Sequence, residues 1–136
     1  MKKQPNIIVF LSDQQRHDSL QCYGQELPTS PVLDSLAQEG VLFENCYSCQ
    51  PVCGPARASL QTGKYPTSLG CHINGYGLKT DAYTIAKAVS TVGYETAYVG
   101  KWHLSSDFEN GINMVRKPIP PNEWAVTKIM LWCPNL

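Results

Sequence analysis

The sequence predicts an α/β fold, and three observations carry that expectation. A β-branched run, Ile7-Ile8-Val9-Phe10-Leu11, opens the chain; apolar residues at helical spacing follow; and strand-like and helix-like segments then alternate as far as Leu104. Alternation of this kind belongs to helices laid against a mostly parallel sheet.

Each element has its own warrant. Ile7 to Leu11 is continuous rather than alternating, which suits a strand buried on both faces, and Asp13 lies just past its carboxyl end, where open α/β sheets gather ligands. Thr29-Ser30-Pro31 supplies an N-cap candidate and an early proline. Val32, Leu33, Leu36 and Ala37 follow at helical spacing, and Gly40 is the stop, so a helix of about ten residues is expected. Val41-Leu42-Phe43 reads as the next strand. Pro55 to Thr62 reads as a short helix ended by Gly63. Ile85, Ala86, Ala88, Val89 and Val92 mark another amphipathic helix, then Gly93 a turn and Tyr94 to Val99 a strand. Beyond Ser105 the pattern fades: Pro118, Pro120 and Pro121 mark an extended segment, and residues 125–136 show neither period nor cap.

Composition narrows the function classes. The 136 residues are 43% apolar, enough for one domain's core. Eleven basic residues balance eleven acidic ones without a basic stripe, which argues against a nucleic-acid partner. The opening Met-Lys-Lys leads into an apolar run too short for a signal peptide, and no run of about 20 apolar residues exists to span a membrane. A cytoplasmic chain with reduced thiols is the expectation.

The chemistry concentrates at Cys53-Gly54-Pro55-Ala56-Arg57. A thiol just ahead of a helix start, with an arginine four residues on, sits in an electropositive place that favours an anion. Cys53 is therefore a candidate nucleophile, metal ligand or modification target, and spacing alone leaves all three open. Zinc is a weaker rival: Cys46-x-x-Cys49, Cys53 and Cys71-His72 offer enough soft ligands but lack compact knuckle pairs. His17 and His72 read as structural or solvated residues.

The run Pro51-Val52-Cys53-Gly54-Pro55-Ala56-Arg57-Ala58-Ser59-Leu60-Gln61-Thr62-Gly63-Lys64-Tyr65-Pro66 closely resembles the signature of the formylglycine-dependent sulfatase family, whose core is Cys-x-Pro-x-Arg, a small residue, Leu, x and Thr-Gly. Asn6 to Arg16, Cys22-Tyr23-Gly24, Thr29 to Phe43 and Gly93 to Leu104 continue the resemblance in family order, so it covers roughly residues 5–124. It implies an alkaline-phosphatase-like sandwich with a mostly parallel central sheet flanked by helices, of which this chain carries the N-terminal portion.

It also implies a site. Cys53, oxidised by a separate formylglycine-generating enzyme, is the nucleophile and a metal ligand. Asp13 matches the first metal-binding carboxylate for Ca²⁺ or Mg²⁺. Gln14 stands where many relatives have a second aspartate, a departure shared with the choline-sulfatase and phosphonate-monoester-hydrolase branches. Arg57 holds the formylglycine hydroxyl, and Lys101 and His103 bind sulfate oxygens and assist proton transfer. The expected substrate is a sulfate-ester small molecule or sulfated glycan, with phosphonate or phosphodiester hydrolysis as the alternative on the same scaffold and a non-catalytic, oligomerising remnant as the third reading.

In the family the second half supplies further metal ligands. The expected organisation is thus residues 1–124 as the N-terminal part of a catalytic domain and residues 125–136 as an atypical tail, read as the product of a one-base frame change after Trp124. A sheet cut partway leaves an unpaired edge, so self-association and weak or absent activity are expected.

Overall fold

Strand pairing in this chain runs through its C-terminal segment. The computed structural model describes residues 4–105 and the backbone of residues 128–132. Strand β1 (Ile7–Phe10) and strand β2 (Glu95–Val99) do not pair with each other; both pair with β3 (Lys128–Trp132), antiparallel, in the order β1-β3-β2. Leu131 stands opposite Ile7 on one side and Thr96 on the other. Since both ladders are antiparallel, β1 and β2 run in the same direction.

The contacts divide the chain into two compact units, Met1–Leu11 with Cys49–Leu136, and Ser12–Ser48. In the first, helix α2 (Cys53–Thr62) is followed by α3 (Pro66–Leu69) and α4 (Ile85–Ser90). Gly63 closes α2 at φ 68° and its N–H bonds the Ser59 carbonyl. That left-handed turn is cheap only for glycine. Thr84 caps α4 by accepting from the Lys87 N–H. Among the described residues the core is small: Ala58, Cys71 and Leu104 are buried, with Leu69, Leu78 and Trp102 packed against them.

The second unit holds α1 (Pro31–Glu39), which starts after Ser30 and stops at Gly40 as the sequence predicts. Ser30 does not cap its own helix. Its hydroxyl accepts from the Gln21 N–H at 3.1 Å and donates to Asp34 Oδ2 at 2.9 Å, while Asp34 Oδ1 accepts from the Cys22 N–H at 2.9 Å. Burial alone would push the Asp34 carboxyl up; the bonds from Cys22 and Ser30 outweigh it and hold Asp34 below the usual carboxylate range.

Several sequence expectations need correction. β1 is not buried on both faces: Ile8 and Phe10 are each 63% exposed, because no helix layer among the described residues covers those side chains. Val41-Leu42-Phe43 forms no strand. An isolated extended run has no ladder to satisfy its backbone, and the Phe43 carbonyl instead accepts from the Tyr23 hydroxyl at 2.9 Å. The signature helix starts at Cys53 rather than Pro55, so the thiol lies inside the first turn rather than ahead of it. Helix α4 ends at Ser90, short of Val92. Residues 125–136, which show no period in the sequence, nonetheless contribute β3. The proline segment at 118–121 lies outside the described residues. No described helix is long and apolar enough to cross a membrane.

Candidate active site

Helix α2 brings the signature residues together by its own geometry. Cys53 and Arg57, four positions apart, share one face of the helix. Arg57 is 3% exposed, a low value for an ionised side chain, and its Nη1 donates to the Lys101 carbonyl at 2.7 Å and the Tyr98 hydroxyl at 3.2 Å. These bonds tie the helix to the end of β2, where the sequence places Lys101 and His103.

The loop after β2 is tightly bent. Gly100 lies at φ 127° and His103 at φ 56°. Among the described residues, His103 and Gln14 (φ 57°) are the non-glycine residues with left-handed backbone, and both are site candidates from the sequence. Such conformations concentrate at functional sites, where surrounding structure holds them in place. Lys101 meets Arg57 through its backbone carbonyl, and its side chain is exposed.

Asn74 is the residue that sequence reasoning missed. Its Oδ1 accepts from the Gly54 N–H at 3.0 Å and its Nδ2 lies 3.5 Å from Cys53 Sγ. A Cβ on Gly54 would stand 2.8 Å from Asn74 Oδ1, so a larger residue there would push the asparagine amide off its bond with the residue 54 N–H, while its 3.5 Å approach to the His103 carbonyl would be ordinary contact. The available signal was the polar pair Asn74-Gly75 in a turn, which carries no mark of a partner twenty residues away.

Asp13 and Gln14 open the second unit, three and four residues beyond the end of β1, and both are exposed. Among the described residues no three His, Cys, Asp or Glu side chains gather as a metal site. The zinc reading loses further ground because Cys71 is fully buried, its thiol 3.1 Å from the Gly77 carbonyl, and burial pushes that thiol up. Cys49 lies 2.9 Å from the Ser59 hydroxyl.

The sequence profile of the sulfatase family matches residues 5–121. The chain belongs to the sulfatase family. This sulfatase chain is 46% identical over 100 residues to an ulvan-active sulfatase of Formosa agariphila, covering 74% of the chain and 20% of that relative. It is 39% identical to the N-acetylglucosamine-6-O-sulfatase of Bacteroides thetaiotaomicron, covering 77% of the chain and 19% of the relative. The solved structure of BT4656 in complex with its substrate D-glucosamine-2-N, 6-O-disulfate superimposes with a TM-score of 0.73 at 39% identity, over 76% of this chain and 21% of that one. The alkaline-phosphatase-like α/β class follows from that match. The chain thus spans about a fifth of the length of these sulfatases.

Proposed function

We propose that this chain carries the nucleophile-bearing part of a sulfatase that hydrolyses sulfate esters on carbohydrate, with Cys53 converted to formylglycine. The observation that carries the reading is the helix start at Cys53, with the Asn74 amide at its sulfur and Arg57 fixed on the same helix face. The named substrates of the relatives, ulvan and N-acetylglucosamine-6-O-sulfate, point to sugar esters.

Formylglycine, when formed and hydrated, would supply one hydroxyl as nucleophile and a second whose proton loss re-forms the aldehyde and expels sulfate, which a serine cannot do. The chain's own residues have separate tasks. In this reading Asn74 Nδ2, 3.5 Å from Cys53 Sγ, donates to the reacting atom of residue 53. Arg57 supplies positive charge on the same helix face. In this reading His103 and Lys101 bind sulfate oxygens, and His103 moves the proton. Asp13 and Gln14 are the proposed contacts to Ca²⁺ or Mg²⁺. Such an ion wants six or more oxygens, and the described residues do not by themselves make that set.

The test is peptide mass spectrometry across Cys53 after co-expression with a formylglycine-generating enzyme, where conversion of the thiol lowers the peptide mass by about 18 Da. An unmodified Cys53, under conditions that convert a control signature peptide, overturns the reading. Gln14 supports a second reading, hydrolysis of phosphonate or phosphodiester esters. An aryl phosphonate ester turned over faster than an aryl sulfate by a protein that completes this chain with a sulfatase C-terminal part would favour it.

A further inference from the structure

We propose that Tyr98 is a positioning residue for Arg57, through its hydroxyl rather than its ring. The hydroxyl lies 2.7 Å from the Lys101 carbonyl and 3.2 Å from Arg57 Nη1, and Nη1 lies 2.7 Å from that same carbonyl. The direction of each bond is forced. A carbonyl only accepts and a guanidinium only donates, so the phenol proton goes to Lys101 and the phenol lone pair receives an Nη1 hydrogen.

Nη1 thereby donates into a pair of neutral oxygens that lie 2.7 Å from each other. Rotation about the Cζ–Nη1 bond is blocked, and the plane of the guanidinium, with the direction of its Nε and Nη2 hydrogens, is set. The ring is itself held by Trp102, edge-on at 5.1 Å and 84°, and Trp102 packs on the Ala58, Cys71 and Leu104 core. A phenylalanine would keep that aromatic contact and lose the link to Arg57. Tyr98 therefore connects the rigid core to the one buried cation that shares a helix face with Cys53 among the described residues. The inference rests on reading that cation as serving Cys53.

Two measurements test it on the full 136-residue chain. In side-chain NMR spectra of the parent, the two Nη1 hydrogens of Arg57 give separate, slowly exchanging signals; one averaged signal overturns the proposal without any variant. The second measurement is the ratio of alkylation rates at Cys53 for anionic iodoacetate and neutral iodoacetamide, normalised to exposed Cys46. A guanidinium aimed at the thiol raises this ratio, and Tyr98→Phe lowers it severalfold toward the Cys46 value while buried Cys71 stays unreactive. General loosening speeds both reagents together and leaves the ratio where it was. A parental ratio in Tyr98→Phe overturns the proposal. Formylglycine conversion is read separately: its failure removes the hydrolase reading and leaves the alkylation ratio standing.

Discussion

The two units of this chain solve the same problem with different means. In the unit that contains the signature helix, Ala58, Cys71 and Leu104 are buried and a buried arginine ties α2 to the loop after β2. In the Ser12–Ser48 unit α1 buries no residue at all: Val32 is 72% exposed and Leu36 58%, and order comes from a polar knot of Ser30, Asp34 and the Cys22 backbone. A polar network inside a core punishes the loss of one member, because the others are left dry. The Ser30–Asp34 knot is only part-buried, so water can replace some of what a lost member supplied.

That contrast can be broken or sharpened experimentally. The largest effect is expected from Arg57→Ala, which removes the charged donor from the Tyr98 hydroxyl and the Lys101 carbonyl while leaving those two bonded to each other; a loss of about 1.5–3 kcal/mol, read from the urea midpoint of the signature unit by amide exchange, is expected. Ala58→Leu comes next. It forces extra methylenes into a fully buried site and is expected to cost about 1–3 kcal/mol by the same readout. Thr84→Ala removes the cap of α4 and is expected to cost about 1 kcal/mol.

The other unit should answer differently. Asp34 is held below its ordinary value in the folded chain, so its contribution is present above the unfolded carboxylate value, near pH ~3.9, and is lost as pH falls through the lower folded value. Asp34→Asn should flatten the acid limb of amide protection in Ser12–Ser48 and leave that of the signature unit unchanged. Leu36→Ser is expected to shift stability by no more than about 0.5 kcal/mol while reducing self-association in sedimentation. A large destabilisation there would mean that α1 has a partner in solution.

Legibility in the sequence followed locality. Ser30, Pro31 and Gly40 bounded α1, although Ser30 makes no cap bond and Gly40 is not left-handed, and Gly63 ended α2 in a left-handed turn, because helix start and stop residues lie within one turn of the ends they mark. The cysteine and arginine of the signature were legible for the same reason. Strand pairing was not: Val41 to Phe43 has the composition of a strand and no ladder, whereas Lys128 to Trp132 has no clear period and sits between two others. Pairing depends on what lies opposite, which composition does not encode. Asn74 was hidden likewise, since its partners at residues 53 and 54 come near only when the chain folds.

The missing side chain at Gly54 makes two distant positions into one heritable unit. A methyl at 54 would stand 2.8 Å from the amide oxygen at 74 and must displace it, so alanine there is expected to cost more beside asparagine than beside glycine or serine. Lineages related to this chain are then expected to change the two together or not at all, and a double-mutant cycle across twenty residues of sequence would read that bond directly.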